Sequence, residues 1–510
     1  MMTYEEEIKE LLNSPNKLIM KEPFKRGGHL KRNPSVTKCN IGDTFEAQLP
    51  NFEYETVTQE QFMRELDPNC HDVMFDENLP SICVKLKDGY YEIKQQRTPV
   101  AFQHRIMSKK VLHLTGNRMQ FTLNGSDPTD EQKHLYAKFL RAWRNRNQDG
   151  MKTKMVQTQL SYGDAGLLYY FDYKGHIKSR ILSFKEGYVI CSHKNDDGDH
   201  ILESVYYQKD GIEYIDSYDD KYVYRYTNET DIERKPLQEG EKIVDGWRWH
   251  KAKEHGFEEC PLITKRGDVA WNNVQDQCDG YENLYNVFRA IQKRFGWGIL
   301  YVRGKFKDQG KKIAGNVVLN DTTLDQKGDA KFLTPPSPEG MISTLTLMEE
   351  NIQKDASCTF ILPKDISMSG DITGIAIELT QSMDIEEAER GVIEWQNVAQ
   401  KMCRLFCYGY AKELVLSGEL TSAITDYADI DISASFKVWR PMNQTEYNNM
   451  LIALKGANVL SRQTATENCT ESKPDELRRL TVQEEQELEK EIKLGKAIKV
   501  GESGSQEGVQ

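Results

Sequence analysis

Across residues 375–417 the chain carries Ile377, Leu379, Met383, Ile385, Ala388, Val392, Trp395, Val398, Met402, Leu405 and Phe406 at close to helical period. An apolar stripe of that length has to be covered along its whole run, and packing between subunits would cover it without any cofactor. A second long stretch, HGFEECPLITKRGDVAWNNVQDQCDGYENLYNVFRAIQKRFG, ends a strand at Pro261 and then predicts a helix over about 270–295, about 38 Å long at the standard rise. Trp271, Val274, Cys278, Tyr281, Tyr285, Phe288 and Phe295 fall on or near one stripe of it, so one face packs and the other stays wet.

The remaining text predicts an α+β chain of several units. A helix is expected over 4–12, followed by a loop around Gly27, Gly28 and Pro34; residues 1–98 read as an arm or peripheral segment. PVAFQHRIMSKKVLHLTGNRMQFTL reads as a helix running into a strand with Gly116-Asn117 as the turn. Leu135, Phe139, Leu140 and Trp143 mark a helix over about 130–147. Residues 151–159 and the turn Tyr162-Gly163-Asp164-Ala165-Gly166 lead to a strand over 167–173. Over 187–227 the Tyr- and Val-rich runs YVICSH, HILESVYYQ, EYIDSY and KYVYRYT are separated by Asp/Asn/Gly clusters, the pattern of an antiparallel meander. Past Gly296 come the strands GILYVRG, GNVVLND and AKFLTPPSP, a helix over 338–357, and the loop FILPKDISMSGDITG. The chain finishes with a helix over 443–459, a connection over 461–474, a charged helix near 475–496 and the tail GESGSQEGVQ, expected to be disordered.

Composition narrows the function. With 67 basic against 79 acidic residues the formal net charge is −12, so nucleic acid, if it is the partner, is not gripped by the whole surface. There is no run of eighteen apolar residues, and the first residues lack the order of a secretory signal, so no membrane association is expected. Ten scattered cysteines without a CxxC pair read as reduced thiols; Cys403 and Cys407, four apart, have half a metal site's spacing but read as small apolar residues of a buried helix face. The acids Asp196, Asp197 and Asp199 beside Gly198 lack the ligand spacing of a calcium loop and read as a solvated hairpin turn. A packaging ATPase would need GxxxxGK[ST] after a strand, and GKKIAGN and GDAKFLTP do not supply it. A metal-dependent nuclease would need clustered carboxylates on a rigid scaffold. No catalytic residue, metal or cofactor is therefore expected.

Four stretches in order resemble the portal proteins of tailed phages, the head-to-tail connector family. TPVAFQHRIMSKKVLHLTGNRMQF is similar to the helix, strand and glycine that open the wing of that family. HGFEECPLI with DGYENLYNVF is similar to the Pro-terminated strand feeding the stem helix, although Glu258 and Glu259 stand where the family tends to have a glycine. ISMSGDITGIAIELTQSMDIEEAERG is similar to the small-residue channel loop and its following helix. ANVLSRQTATENC with PDELRRLTVQEEQE resembles the crown connection and its charged last helix.

The resemblance implies a ring, typically of twelve copies, at one capsid vertex, through which double-stranded DNA is packaged and ejected. It implies a terminase packaging motor, a head-tail adaptor, and the major capsid and scaffolding proteins as partners, the host cytoplasm during assembly and the virion afterwards. Its regions would be a wing at 99–265 and 375–440, stem helices at 266–296 and 338–359, a clip at 297–337, a channel loop at 360–374, a crown at 441–497 and a tail at 498–510. The rivals are another virion structural or connector protein and a DNA-processing enzyme.

Two candidate contact sites follow. The loop bearing Lys364, Asp365, Ser367, Ser369, Gly370 and Asp371 has the glycines and small residues that let a backbone fit itself to a duplex; an ordinary helix connector is the plain alternative. The strip Arg289, Lys293, Arg294, Arg303, Lys305, Lys307, Lys311 and Lys312 holds eight basic residues against one acid, Asp308. It would meet DNA or an acidic surface on the motor or adaptor, or else keep strand edges from mispairing.

Overall fold

In the computed structural model the described residues are 4–30, 52–75, 82–86, 89–93, 97–124, 129–195, 198, 200–295, 299–303, 318–321, 329–333, 337–360, 379–418, 432–440, 444–462, 465–466, 469 and 479–486. They fall into two units, one of residues 1–360 with 383–439, the other of 361–382 with 440–510.

The first unit begins with helices α1 (Tyr4–Leu12) and α2 (Pro15–Leu18), a hairpin of β1 (Phe24–Leu30) and β2 (Phe52–Val57), and α3 (Gln59–Leu66). Thr58 starts α3 with a reciprocal cap, its hydroxyl accepting from the Gln61 amide while the Gln61 side chain accepts from the Thr58 amide. A second hairpin joins β3 (Ile82–Leu86) to β4 (Gly89–Ile93). Then come α4 (Phe102–Thr115), β5 (Gln120–Leu123), α5 (Asp130–Asn145) and α6 (Gln148–Tyr162).

A three-stranded sheet places β6 (Asp164–Phe171) between β7 (Ile177–Leu182) and β15 (Leu262–Arg266). The seven-stranded sheet holds the expected meander, β8 (Val189–Lys194), β9 (His200–Lys209), β10 (Ile212–Tyr218) and β11 (Tyr222–Thr227), extended by β12 (Lys242–Val244), β13 (Trp247–Trp249) and β14 (Lys253–Glu254). The β9–β10 turn has both central residues left-handed, Asp210 and Gly211, which suits the right-handed twist of the strands it joins. The acidic stretch read as a hairpin turn lies at the β8–β9 end, where Lys194 pairs with His200; Asp196, Asp197 and Asp199 lie outside the described residues.

Helix α7 (Gln275–Phe295) leads to β16 (Ile299–Arg303), β17 (Val318–Asp321) and β18 (Asp329–Leu333), and α8 (Glu339–Asp355) follows. Helix α9 (Ser382–Leu416) and β19 (Ile432–Ser435), which pairs with β5, complete the unit.

The main core lies where α9 meets α5 and β5. Phe139 and Trp143 of α5, Phe121 of β5 and Phe406 of α9 stack edge-on or tilted, with centroids 5.0 to 5.9 Å apart. Burying such a ring stabilises by about 1.5–3 kcal/mol each. Gly409 lets α9 approach β7 closely, since a Cβ there would lie 2.2 Å from Ile177 Cδ1. Of the apolar stripe expected over 375–417, Ile385, Ala388, Trp395, Val398, Met402, Leu405 and Phe406 are buried within this chain, while Leu379 and Met383 are exposed and Ile377 lies outside the described residues. The partners of the seven buried positions are thus within this chain, where packing between subunits had been expected. Cys403 and Cys407 sit on the same buried face, as the apolar reading expected, and burial pushes both thiols up, Cys407 to about 12.

Three further expectations are corrected. The turn before β6 is Gly163 alone: its φ of +81° ends α6, and Asp164, Ala165 and Gly166 are already strand. Helix α7 starts at Gln275, five residues later than expected and about 31 Å long. The backbone ahead of it is bonded elsewhere, Gly267 N–H to Gly163 O and Ala270 N–H to Leu160 O. Residues of the expected peripheral segment enter the core: Leu18, Val57, Phe62 and Val73 are almost fully buried.

The second unit contributes α10 (Gln444–Gly456), with Leu451 buried, a Cys469 Sγ contact to Asn448 Oδ1 at 3.7 Å, an Arg462–Glu484 ion pair and helical residues 479–486.

Candidate functional site: the helix pair and the sheet between its ends

Helices α7 and α8 pack antiparallel. Gln277, in the first turn of α7, donates to Asp355 at the end of α8 at 2.6 Å, and Gly280 faces Met348. Leu345 and Ile352 are buried on α8, while Ile342 and Leu347 are exposed. Between the two helices the chain makes a small sheet in which β16 is central, parallel to β17 and antiparallel to β18.

The buried line of α7 differs from the aromatic stripe that the sequence suggested. Cys278, Glu282 and Asn286, spaced by four, are 0–1% exposed, whereas Tyr281, Tyr285 and Phe288 are only partly covered. Buried polar groups of this kind persist only when satisfied, and Glu282 and Asn286 are. Glu282 Oε1 accepts from Val100 N–H at 2.7 Å and lies 2.7 Å from His71 Nδ1. The Asn286 amide closes a ring with the Thr98 backbone, accepting its N–H at 2.8 Å and donating to its carbonyl at 2.9 Å. Gln103 donates to Gln275 Oε1, and Gln275 donates to Asp279. Burial first, then the negative charges of Asp72, Glu282 and Glu65, push the Asp279 carboxyl up to about 6 despite the Gln275 hydrogen bond. Just ahead of α7, Trp271 Nε1–H and Arg26 both donate to Glu65 Oε2.

The basic strip divides. Arg289 donates to Thr98 Oγ1 and lies over the Tyr285 ring, so it is a tie within the chain. Lys293 is exposed, and Arg294 follows it in the last turn of α7. Arg303 ends β16, and the register sets Asp321 of β17 and Asp329 of β18 opposite it. Counting along the sequence missed these acids because strand pairing brings them from 18 and 26 positions away. Lys305, Lys307, Lys311 and Lys312 lie outside the described residues, as do Lys364, Asp365, Ser367, Ser369, Gly370 and Asp371.

Sequence reasoning also missed His71, Glu282, Asn286 and Thr98 as a set. The one signal that could have found them was the polar i, i+4 pair Glu282–Asn286 in line with Cys278. Among the described residues no helix is long and apolar enough to cross a membrane, and no group of His, Cys, Asp and Glu could hold a metal ion.

A protein-family model described as "Phage portal protein, SPP1 Gp6-like" matches residues 59–493. No curated protein matches the chain.

Proposed function

We propose, from the premise that this chain belongs to the SPP1 Gp6-like phage portal proteins, that copies of it close into a ring whose α7 and α8 line a passage for double-stranded DNA. The observation that carries this reading is the antiparallel helix pair returning from the β16–β18 sheet, inside a family match that spans most of the chain. A ring repeats every wall-facing charge in each copy, so a strongly basic wall would hold the phosphates and slow translocation. The net charge of −12 and the acids opposite Arg303 fit a wall that lets DNA slide.

In this reading the ring, of about twelve copies by the family's habit, sits at one capsid vertex among the major capsid and scaffolding proteins. It docks the terminase packaging motor first and the head-tail adaptor later, assembles in the host cytoplasm and does no bond chemistry. Lys364, Asp365, Ser367, Ser369, Gly370 and Asp371 are assigned to touch the duplex, and Lys293, Arg294, Arg303, Lys305, Lys307, Lys311 and Lys312, without the tied Arg289, to meet DNA or an acidic partner. The wing, stem, clip and crown boundaries given above are part of the same proposal.

Electron microscopy of the purified chain tests it: rings with a central hole are expected, and a persistent monomer that hydrolyses ATP would refute it in favour of an enzyme. Neutralising Arg303, Lys305 and Lys307 together should lower packaged DNA while leaving rings intact; unchanged packaging removes the basic-contact assignment.

A further inference from the structure

His71 follows the short 3-10 turn after α3, and its imidazole is buried against α7. Nδ1 lies 2.7 Å from Glu282 Oε1 and Nε2 lies 2.8 Å from the Glu65 carbonyl oxygen. A neutral imidazole carries one N–H and would leave one of these contacts without a proton, whereas the imidazolium donates at both. The same Glu282 oxygen accepts from Val100 N–H, so one carboxylate joins three segments: the turn after α3, the chain entering α4, and α7 itself.

Several charges face the pair. Asp279 and Glu282 come from α7; Glu65, held by Arg26 and Trp271, comes from α3; Arg64 and Asp72 pair with each other at the rim. A cavity of about 180 Å³ lined by Gln61, Arg64, Glu65, Cys70, His71, Asp72, Gln275 and Asp279 gives solvent a way to the ring.

We propose that His71 and Glu282 form a protonation-dependent clamp that fastens α7 to residues 65–71 and 98–100, closed when His71 is an imidazolium and loosened when it loses its proton. The arrangement is one that buried polar contacts serve well: directional bonds fix one register of a helix, and removing one proton orphans an acceptor. Burial alone would lower the proton affinity of His71. The Glu282 hydrogen bond and charge, the Glu65 carbonyl and the Asp279 charge outweigh it and hold the ring above its ordinary 6.5. A group whose proton affinity rises on folding contributes stability that is complete below its unfolded value and lost as pH rises through the folded one. The clamp is therefore tightest in mild acid and loosens on the alkaline side.

Hydrogen–deuterium exchange of the full chain, corrected for the intrinsic pH dependence of amide exchange, tests this on peptides covering 97–103 and 276–287. Protection there should fall by a few-fold or more between about pH 6 and about pH 9, while a peptide from α9 shows no matching change. His71→Gln, which cannot titrate, should give lower protection without that fall, leaving only the change at the acid end from Asp279, whose carboxyl is held at about 6. Glu282→Gln keeps an acceptor for Val100 but removes the charge, so it should move the loss of protection to lower pH. Flat protection in the unmodified chain overturns the proposal, as does the same pH slope in His71→Gln. If His71→Gln does not fold, the Glu282→Gln shift decides alone, and an unmoved midpoint rejects the clamp.

Discussion

Helices α7 and α9 are both long, and their buried faces are held by different means. Along α9 the buried face is mostly apolar, from Trp395 stacked on Phe436 to Phe406 wedged among Phe139, Trp143 and Tyr410, with polar ties at its edges where Gln400 donates to Ile432 O and accepts from Ala434 N–H, and Glu413 accepts from Arg146 and Ile177 N–H. Along α7 the buried line is Cys278, Glu282 and Asn286, and its partners are backbone groups of 98–100 and the ring of His71. Apolar contact is non-directional and scales with area, so it tolerates a change of shape. Hydrogen bonding in a dry site specifies position and penalises any partner left alone. The buried face of one helix is mainly glued and that of the other is keyed.

The largest expected effect is on the glued side. Phe406→Ala should cost about 3–5 kcal/mol, because it opens a cavity among rings already in contact. Phe406→Leu should cost well under half of that, since the neighbours can close around it. Denaturant midpoints of the two variants measure the ratio, and equal losses would mean that the ring cluster around Phe406 is held by shape rather than by area.

On α7 the order should reverse. Asn286→Leu, similar in volume and apolar, should cost about 2–3 kcal/mol because it strands both the N–H and the carbonyl of Thr98. Asn286→Asp keeps the acceptor for Thr98 N–H but buries a charge, and should cost no less. If Leu is tolerated at 286 as well as at 406, the contrast between the two helices fails.

How far each helix could be read from sequence follows from the same physics. Periodic Trp395, Val398, Met402, Leu405 and Phe406 announce a buried face directly, and α1, α8, the meander and the C-terminal end of α9 were legible within a few residues, while the start expected for α9 at 375 lies outside the described residues. A keyed face has no compositional mark. Glu282 and Asn286 look like solvated positions until the chain at 98–100 and His71, about 180 to 210 positions earlier, are folded against them. The burial of Leu18, Val57 and Phe62 was hidden for a similar reason, since short polar-flanked segments do not show which sheet or helix they will cover. The site residues at 305–312 and 364–371 rest on sequence and family alone.

Titration separates the two regions by sign. Lys152, 1% exposed beneath the α9 side of the core, donates to Asn117 O at 2.6 Å and faces the Phe436 ring. Burial pushes its ammonium down to about 8, against a small opposing pull from Asp149. Between about pH 8 and about 10 the unfolded chain holds this proton and the folded one does not, so stability from this group rises with pH. His71 contributes in the other direction. Lys152→Met should flatten the rise without altering exchange at 97–103, and His71→Gln should do the converse. If either variant moved both readouts, the two regions would be one cooperative network.

The smallest effect concerns Glu259, one of the two acids standing where the family tends to have glycine. Both its oxygens accept from Arg404 of α9, at 3.2 and 3.0 Å, with the arginine side chain 55% exposed. An exposed pair of this kind contributes about 0.2–1 kcal/mol, even in paired geometry, because water screens it and two long side chains lose freedom. A double-mutant cycle with Glu259→Ala and Arg404→Ala should return a coupling energy in that range. A much larger value would mean that the polar ties of α9 at Gln400 and Glu413 are joined by a third where it meets the chain entering β15, and the division between a mainly glued and a keyed helix would have to be redrawn there.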